Sequence, residues 1–337
     1  MGRKILVTGG AGYVGSVLVP ELLKLGHKVI VYDTFWFWNN VREYADYIDK
    51  DGAAGEWVWV GDIRDCRSLI ECINSYEIDT IIHLACISND PSSELDYNFT
   101  HDVSYNGSIS VIEAARKTNI NRFIYASSNS VYGNKAEHKV TEDLIPEPIT
   151  QYSKIKMEIE HYLTWLHKNE DFPCIILRPS TLSGYSPRQR LDLVVNMFVD
   201  QALNHGVINV FGGEQYRPAL NIKDMVEAYA VALYVPKHCF GKPYNLGNEN
   251  YTVREIAEKV IEYVPNAQIK LINNDDYRSY RICSDKIERE WDFQHLYTID
   301  DGIEDLIRAF ETGMVKSEDR NHNLRVMEKY LEEQIRV

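Results

Sequence analysis

The sequence contains no apolar run approaching the roughly 18 residues needed to span a bilayer, which excludes an integral helical membrane protein. Cationic charge is scarce too: 36 Lys and Arg against 50 Asp and Glu leave a formal net charge of −14 over 337 residues. Such a surface repels nucleic acid and anionic lipid, so neither is expected as a partner, and any anionic ligand has to be met by a local cationic pocket. The six cysteines (Cys66, Cys72, Cys86, Cys174, Cys239, Cys283) make no CxxC and mostly lie beside apolar neighbours. They read as reduced packing residues, so neither a disulfide nor a metal site is expected. The first apolar run, Ile5-Leu6-Val7, is too short for the core of a secretory signal, and a cytoplasmic chain starting at Met1 is the expectation. Internal repeats and low-complexity segments are absent.

What the sequence does have is alternation. Apolar, β-rich runs at Lys4–Val7, Lys28–Tyr32, Trp57–Val60, Thr80–Leu84, Arg122–Ala126 and Cys174–Leu177 are separated by longer helical patterns, among them Gly12–Leu25, Val103–Lys117 and Tyr152–His167. Continuous apolar strands joined by helical crossovers predict an α/β fold with a doubly wound parallel sheet, of the Rossmann type. Pro20 interrupts the first helical pattern, and a kink or early irregularity is expected there. After Arg178 the texture changes to Pro179, Gly184, Pro187, Gly206, Gly212, Gly213 and Pro218 among short apolar stretches, which marks a smaller C-terminal lobe. Residues 1–178 with 221–249 are assigned to the nucleotide-binding domain, and 179–220 with 250–337 to the substrate lobe. The charged stretch from about Thr312 to Val337 is either a docked helix or a frayed tail.

Thr8-Gly9-Gly10-Ala11-Gly12-Tyr13-Val14-Gly15-Ser16 follows the first strand and opens a helical pattern. Gly10, Gly12 and Gly15 fit GxGxxG, and Gly9, Gly12 and Gly15 fit GxxGxxG. Both spacings let a backbone turn sharply, approach a pyrophosphate and aim helix N-terminal N–H groups at it. Asp33 ends the next strand about 20 residues on, where a carboxylate bonds the adenosine ribose hydroxyls. That acid repels a 2′-phosphate, and no Arg or Lys sits in the loop between Asp33 and Arg42 to offset it, so NAD(H) is expected over NADP(H). Asp62-Ile63 follows the third strand, where an acid meets adenine; a solvated turn is the alternative. The aromatic run Phe35-Trp36-Phe37-Trp38 follows the ribose-binding acid and is open to three readings: a shield for adenosine, a subunit contact, or local packing.

Tyr152 and Lys156 lie four residues apart, on one face of a helix, and a cation near a phenol stabilises the phenolate. One helix earlier, the strand Phe123–Ala126 enters the hydroxyl-rich loop Ser127-Ser128-Asn129-Ser130-Val131-Tyr132-Gly133. The glycine turn, the helix carrying Asn106, this loop and Tyr-x-x-x-Lys, in that order, resemble the extended short-chain dehydrogenase/reductase family, NAD-dependent nucleotide-sugar epimerases and dehydratases. The resemblance continues through Arg178-Pro179, Gly212-Gly213 and Asn245-Leu246-Gly247 and so covers nearly the whole chain.

The resemblance implies that Ser128 bonds the sugar hydroxyl being oxidised, Tyr152 takes its proton, and Lys156 supports the phenolate and grips the nicotinamide ribose. Hydride then passes from sugar carbon, usually C4, to NAD. It places Gly9, Gly12, Tyr13, Val14, Gly15, Asp33, Asp62, Ile63, Leu84 and Ala85 around the cofactor, together with Tyr152 and Lys156. Ser88, Asn89, Ser128, Asn129, Arg188, Arg190, Asn196, Arg217 and Arg278 fall on the substrate side, the arginines as forks for a nucleoside diphosphate. Asn106 resembles the family's active-site-helix Asn, the alternative being an Asn bonded to neighbouring backbone. Helices Val103–Lys117 and Tyr152–His167 are those that build the family's homodimer interface.

Family dehydratases carry an Asp-Glu pair directly after the catalytic hydroxyl residue; here Asn129 and Ser130 stand there. Neither is a carboxyl acid or base, so oxidation at C4 without loss of water is expected. The segments Ser186–Asn196 and Ser88–Pro91 resemble a bacterial branch acting on GDP-linked sugars, including heptoses, in capsule and lipopolysaccharide synthesis. A 4-dehydrogenase is therefore set slightly ahead of a 4-epimerase, which returns the hydride to the opposite face. An NAD-binding sensor without chemistry is the third class, disfavoured because Ser128, Tyr152 and Lys156 are all in place.

Overall fold

The computed structural model describes residues 2–38, 41–48, 57–273 and 279–335. The first half alternates as expected: β1 (Lys4–Thr8), α1 (Gly15–Lys24), β2 (Lys28–Asp33), α2 (Val41–Ile48), β3 (Val58–Val60), α3 (Cys66–Tyr76) and β4 (Thr80–His83). Two short helices follow, α4 (Asp90–Ser93) and α5 (Tyr97–His101), then a π-helical turn at Asp102–Asn106 leading into α6 (Gly107–Lys117). After β5 (Arg122–Ala126) comes a 3-10 turn at Asn129–Tyr132, then α7 (Gln151–Glu170) and β6 (Cys174–Pro179). The remainder is β7 (Thr181–Ser183), α8 (Val194–His205), β8 (Val207–Phe211), β9 (Tyr216–Asn221), α9 (Ile222–Ala232), β10 (Pro243–Leu246), β11 (Glu249–Thr252), α10 (Val253–Tyr263), β12 (Gln268–Ile272), α11 (Asp285–Trp291), α12 (Ile299–Glu311) and α13 (Asn323–Ile335).

Seven strands form one sheet in the order β10-β6-β5-β4-β1-β2-β3, with every neighbouring pair from β3 to β6 parallel. Ile5, Leu6, Val7, Ile81, Ile82, Phe123, Ile124, Ile175 and Ile176 are fully buried, which explains why these strands read as unbroken apolar runs. The order reverses between β1 and β4, and in open α/β sheets the crevice at the carboxyl ends of such a pair is where ligands bind. The glycine turn after β1 and Leu84-Ala85 after β4 both lie there.

The chain divides into two compact units: residues 1–127, 150–177 and 228–243 in the first, and 128–149, 178–227 and 244–337 in the second. Besides 221–227 and 244–249, the second unit takes the segment 128–149 out of the expected nucleotide-binding domain. Backbone pairing draws it into the second unit: Lys135 N–H donates to Ser279 O, Val140 N–H to Arg281 O and Cys283 N–H to Val140 O. That unit holds a three-stranded sheet, β11-β9-β7, and a parallel pair, β12-β8. Its core gathers Leu191, Val195, Phe198 and Val199 from α8 and the turn before it, Ile256 and Val260 from α10, and Ile303 and Leu306 from α12.

Two local expectations resolve. Helix α1 runs through Pro20 without a break. Proline removes the N–H that would bond the Ser16 carbonyl, and the Tyr47 hydroxyl donates to that oxygen instead, at 3.4 Å. The C-terminal stretch ends in a docked helix: Met327 is buried, Leu191 N–H donates to Asn321 O at 2.8 Å, and Arg188 Nη2 donates to Asn323 Oδ1 at 2.5 Å. Among the described residues no helix is long and apolar enough to cross a membrane.

Candidate functional site

In the first unit the glycine turn is a cradle that only glycine leaves open. Gly9 has φ +73°, and a Cβ there would stand 2.7 Å from Ala85 N; a Cβ on Gly15 would stand 2.4 Å from Gly10 O. Gly12 N–H closes the turn on Gly9 O, and Ser16 N–H bonds Gly12 O, so helical bonding begins at Gly12. Tyr13 is buried and Val14 is the cap residue of α1. Backbone this bare at a helix N-terminus fits the close approach of a pyrophosphate.

Asp33 sits at the end of β2, its Oδ2 accepting from Ala11 N–H (3.0 Å) and its Oδ1 from Phe35 N–H (2.8 Å). The Tyr32 hydroxyl donates to Asp62 O at 3.0 Å, fixing the backbone before Ile63. Burial pushes the Asp62 carboxyl up, but Arg64, bonding it through Nε, Nη2 and backbone N–H, holds it below the usual carboxylate range. Ile63 is buried, and a Cβ on Gly107 would stand 2.7 Å from its tip. Leu84 N–H donates to Thr8 O, tying the β4 end to the start of the glycine turn.

Helix α7 begins on a capping box in which Thr150 Oγ1 accepts from Ser153 N–H and Ser153 Oγ from Thr150 N–H. Its first turn is anchored to the segment after β4: Gln151 N–H donates to Glu94 Oε1, Gln151 Nε2 to Tyr97 O, and the Thr150 hydroxyl to Asp90. That segment includes Ser88 and Asn89. Asn89 caps α4 by accepting from Ser92 N–H and holds φ +79°, ψ 152°, a backbone region otherwise left to glycine.

Tyr152 is half-buried, and Lys156 is 3% exposed, its Nζ 5.6 Å from the Tyr152 ring centroid and donating to Ala126 O at 2.6 Å. One turn further, buried Glu160 accepts from Ser127 Oγ. Tyr152, Lys156 and Glu160 thus recur every four residues on one helix face, and the last two grip consecutive residues at the end of β5. Glu160 was missed in the sequence, although its i+8 spacing from Tyr152 was the available signal.

His83 was missed as well. It ends β4 fully buried, with Nδ1 2.6 Å from Thr8 Oγ1 and Nε2 2.9 Å from Ser108 Oγ. Ser108 spends its proton on Ser104 O, at 2.6 Å, so Nε2 carries the imidazole proton and Nδ1 accepts from Thr8. Burial, with the Lys156 ammonium nearby, lowers its pKa to about 3. Asn106 closes the π-helical turn, exposed, with Nδ2 donating to Asp102 Oδ1 at 3.1 Å; its partner is a side chain, where the alternative reading had backbone.

In the second unit Ser128 starts the 3-10 turn in extended conformation, its Oγ accepting from Ser130 N–H (3.1 Å) and Ser130 Oγ (2.9 Å). Asn129 is 1% exposed; its Nδ2 donates to Ser180 Oγ at 2.8 Å, and its Oδ1 is buried with no partner among the described residues. The substrate-side arginines separate. Arg190 Nη2 pairs with Asp192 at 2.7 Å, both ends nearly buried, and Arg188 reaches Asn323. Asn196, fully buried, bridges Gly184 N–H and Arg190 O. Arg217 lies on β9, half-buried, with Nη1 donating to Tyr216 O. Arg278 lies outside the described residues.

The chain matches the model of the NAD dependent epimerase/dehydratase family over residues 5–247. It is 28% identical over 277 residues to a UDP-glucose 4-epimerase of Lactobacillus helveticus, covering 76% of this chain and 81% of the relative. It is 29% identical over 275 residues to a dTDP-D-glucose 4,6-dehydratase of Dictyostelium discoideum, covering 77% and 62%. Among solved structures, a UDP-glucuronic acid 4-epimerase from Bacillus cereus, in complex with UDP-glucuronic acid and NAD, superposes with TM-score 0.80 at 26% identity over 92% of this chain and 99% of that one. With the glycine cradle, the parallel strand order and the Tyr152–Lys156 helix face already in view, the match leaves one assignment: the chain belongs to the NAD-dependent epimerase/dehydratase family.

Proposed function

We propose that this chain oxidises C4 of a nucleotide-diphosphate sugar, a GDP-linked hexose or heptose, to the 4-keto sugar without loss of water. The observation that carries the reading is at Asn129 and Ser130. Loss of water beside a new carbonyl needs one group to remove a proton and another to protonate the departing hydroxyl, each with a pKa brought near neutrality. The Asn129 amide, bonded to Ser180, and the Ser130 hydroxyl, spent on Ser128, supply neither.

The roles fall to named groups. Ser128 holds the C4 hydroxyl, and Tyr152 takes its proton, with the Lys156 cation beside the ring favouring the phenolate. Lys156 also holds the nicotinamide ribose, and Asp33 the adenosine ribose. NAD, when bound, supplies the hydride acceptor. Arg217 and Arg278 are assigned to the diphosphate and base; Arg188 and Arg190, already engaged within their unit, are assigned to shaping the loop 186–192. Ser88, Asn89 and Asn196 are placed along the substrate, and α6 with α7 form the face of a homodimer.

A 4-epimerase is the second reading, favoured by the names of the epimerase relatives. Mass spectrometry of reactions in heavy water with GDP-, UDP-, CDP- and dTDP-sugars separates the outcomes. A keto sugar with stoichiometric NADH and no solvent deuterium on carbon is expected. An isomer that retains the substrate's C4 hydrogen replaces dehydrogenation by epimerisation. A 6-deoxy product deuterated at C5 overturns the assignment of Asn129 and Ser130.

A further inference from the structure

The aromatic run after Asp33 is unused by the chemistry above, yet its last residue, Trp38, and nearby Tyr44 reach the glycine turn. The Trp38 indole N–H donates to Ala11 O at 2.8 Å, and the hydroxyl of fully buried Tyr44 donates to Gly10 O at 3.0 Å. The two rings meet edge to face at 5.2 Å, and Phe35 packs on Tyr44 at 5.4 Å. These contacts pair with two others already described. The peptide plane joining Gly10 to Ala11 is held at its carbonyl by Tyr44 and at its N–H by Asp33; the plane joining Ala11 to Gly12 is held at its carbonyl by Trp38 and at its N–H by Gly9 O.

A turn built of glycine has the most backbone freedom to lose, and a cofactor that must order it binds more weakly by that cost. Pinning both ends of two successive peptide planes removes the freedom before the cofactor arrives. We propose that Trp38 and Tyr44 are positioning residues for NAD, bracing the glycine turn through the carbonyls of Ala11 and Gly10 so that the turn is preformed for the dinucleotide's pyrophosphate. This rests on cofactor binding by the family and is independent of which sugar is oxidised.

The test is calorimetric titration of NAD+ into the full chain stripped of cofactor, with hydrogen exchange of the Gly9–Gly15 amides measured in parallel. Trp38→Phe keeps an aromatic ring against Tyr44 and removes the N–H; Tyr44→Phe keeps the buried ring and removes the hydroxyl. Each is expected to weaken NAD+ binding by about tenfold, the scale of one hydrogen bond, and to speed exchange in the turn. At saturating NAD the kcat should stay within about twofold of the parent while the KM for NAD rises, a split that general loss of packing does not give. Unchanged affinity and unchanged exchange in both variants overturn the proposal. So does a fall in melting temperature with affinity retained, since that assigns the two residues to packing alone. Failure of any sugar to react leaves the titration readable and counts against the substrate reading instead.

Discussion

The glycine turn of the first unit and the arginines of the second unit were both marked by the sequence as anion-binding features, and they differ in what already occupies them. The turn is defined by what it lacks: a Cβ at Gly9 or Gly15 would collide with backbone, so the motif constrains shape whatever side chains surround it. An arginine constrains nothing until its partner is known. Arg190 and Arg188, in the same loop, are turned to Asp192 and Asn323, whereas Arg217 sits half-buried on β9 with Nη1 on the Tyr216 carbonyl oxygen. Backbone motifs are thus readable from spacing, while cations become readable only once burial and pairing are known.

The largest expected effect breaks the second half of that comparison. Asp192 is pushed up by burial and held below the usual carboxylate range by Arg190, with Arg188 contributing. Arg190→Met removes the ion-pair partner of that carboxylate, and removing one partner of a buried pair costs about 3–5 kcal/mol. Arg190→Met should therefore lower the unfolding free energy measured in urea by that amount, while Arg217→Met, at a half-buried position, should cost less stability and raise the KM for the nucleotide sugar. If Arg190→Met spares stability and raises KM, the two arginines have been assigned the wrong way round.

Next in size is Tyr152→Phe, which keeps the ring on the helix face and removes the group that takes the proton. Sugar oxidation should fall by at least about 10²-fold, the contribution usual for a general base, with NAD affinity by calorimetry retained. Lys156→Met should lower both, because its Nζ is assigned to the phenolate and to the ribose. A fully active Tyr152→Phe chain removes the residue from the mechanism.

Most of the sheet was legible because strands buried on both faces have to be apolar throughout: all six predicted runs are strands of one sheet. Ser128–Ile149 was less so, because its pairing with residues 279–283 is made across some 140 positions by backbone groups that leave no periodic trace. Why α1 continues through Pro20 was not legible, because the donor that serves the Ser16 carbonyl, Tyr47, comes from another helix. His83 and Glu160 went unseen for a related reason. Each looks like an ordinary polar residue at the edge of an apolar stretch, and only the fold brings Ser108 or Ser127 to it.

The smallest expected effect sharpens the comparison by setting a buried neutral group in the first unit against the buried charged pair in the second. Burial lowers the folded pKa of His83 to about 3, from the ordinary imidazole value of about 6.5. Below about 6.5 the unfolded chain binds a proton there and the folded chain does not, so acidification draws the equilibrium toward unfolding. The stability is present above the unfolded pKa and is lost as pH falls from about 6.5 toward 3, with a limiting slope of about 1.4 kcal/mol per pH unit. Carboxylates held down by arginine, such as Asp62 and Asp192, enter only as pH approaches their unfolded values near 4. His27, His295 and His322, also lowered, add to that slope, while Glu142 and Asp224, whose carboxyls burial pushes up, oppose it. His83→Gln isolates the one at the end of β4. The variant should be the less stable chain at pH 7, having lost bonds to Thr8 and Ser108, and the gap to the parent should narrow on going to pH 5. Urea denaturation at pH 7, 6 and 5 reads that difference directly. A gap that stays constant means that His83 titrates alike in the folded and unfolded chains, and overturns the reading of His83 as a neutral imidazole held by burial.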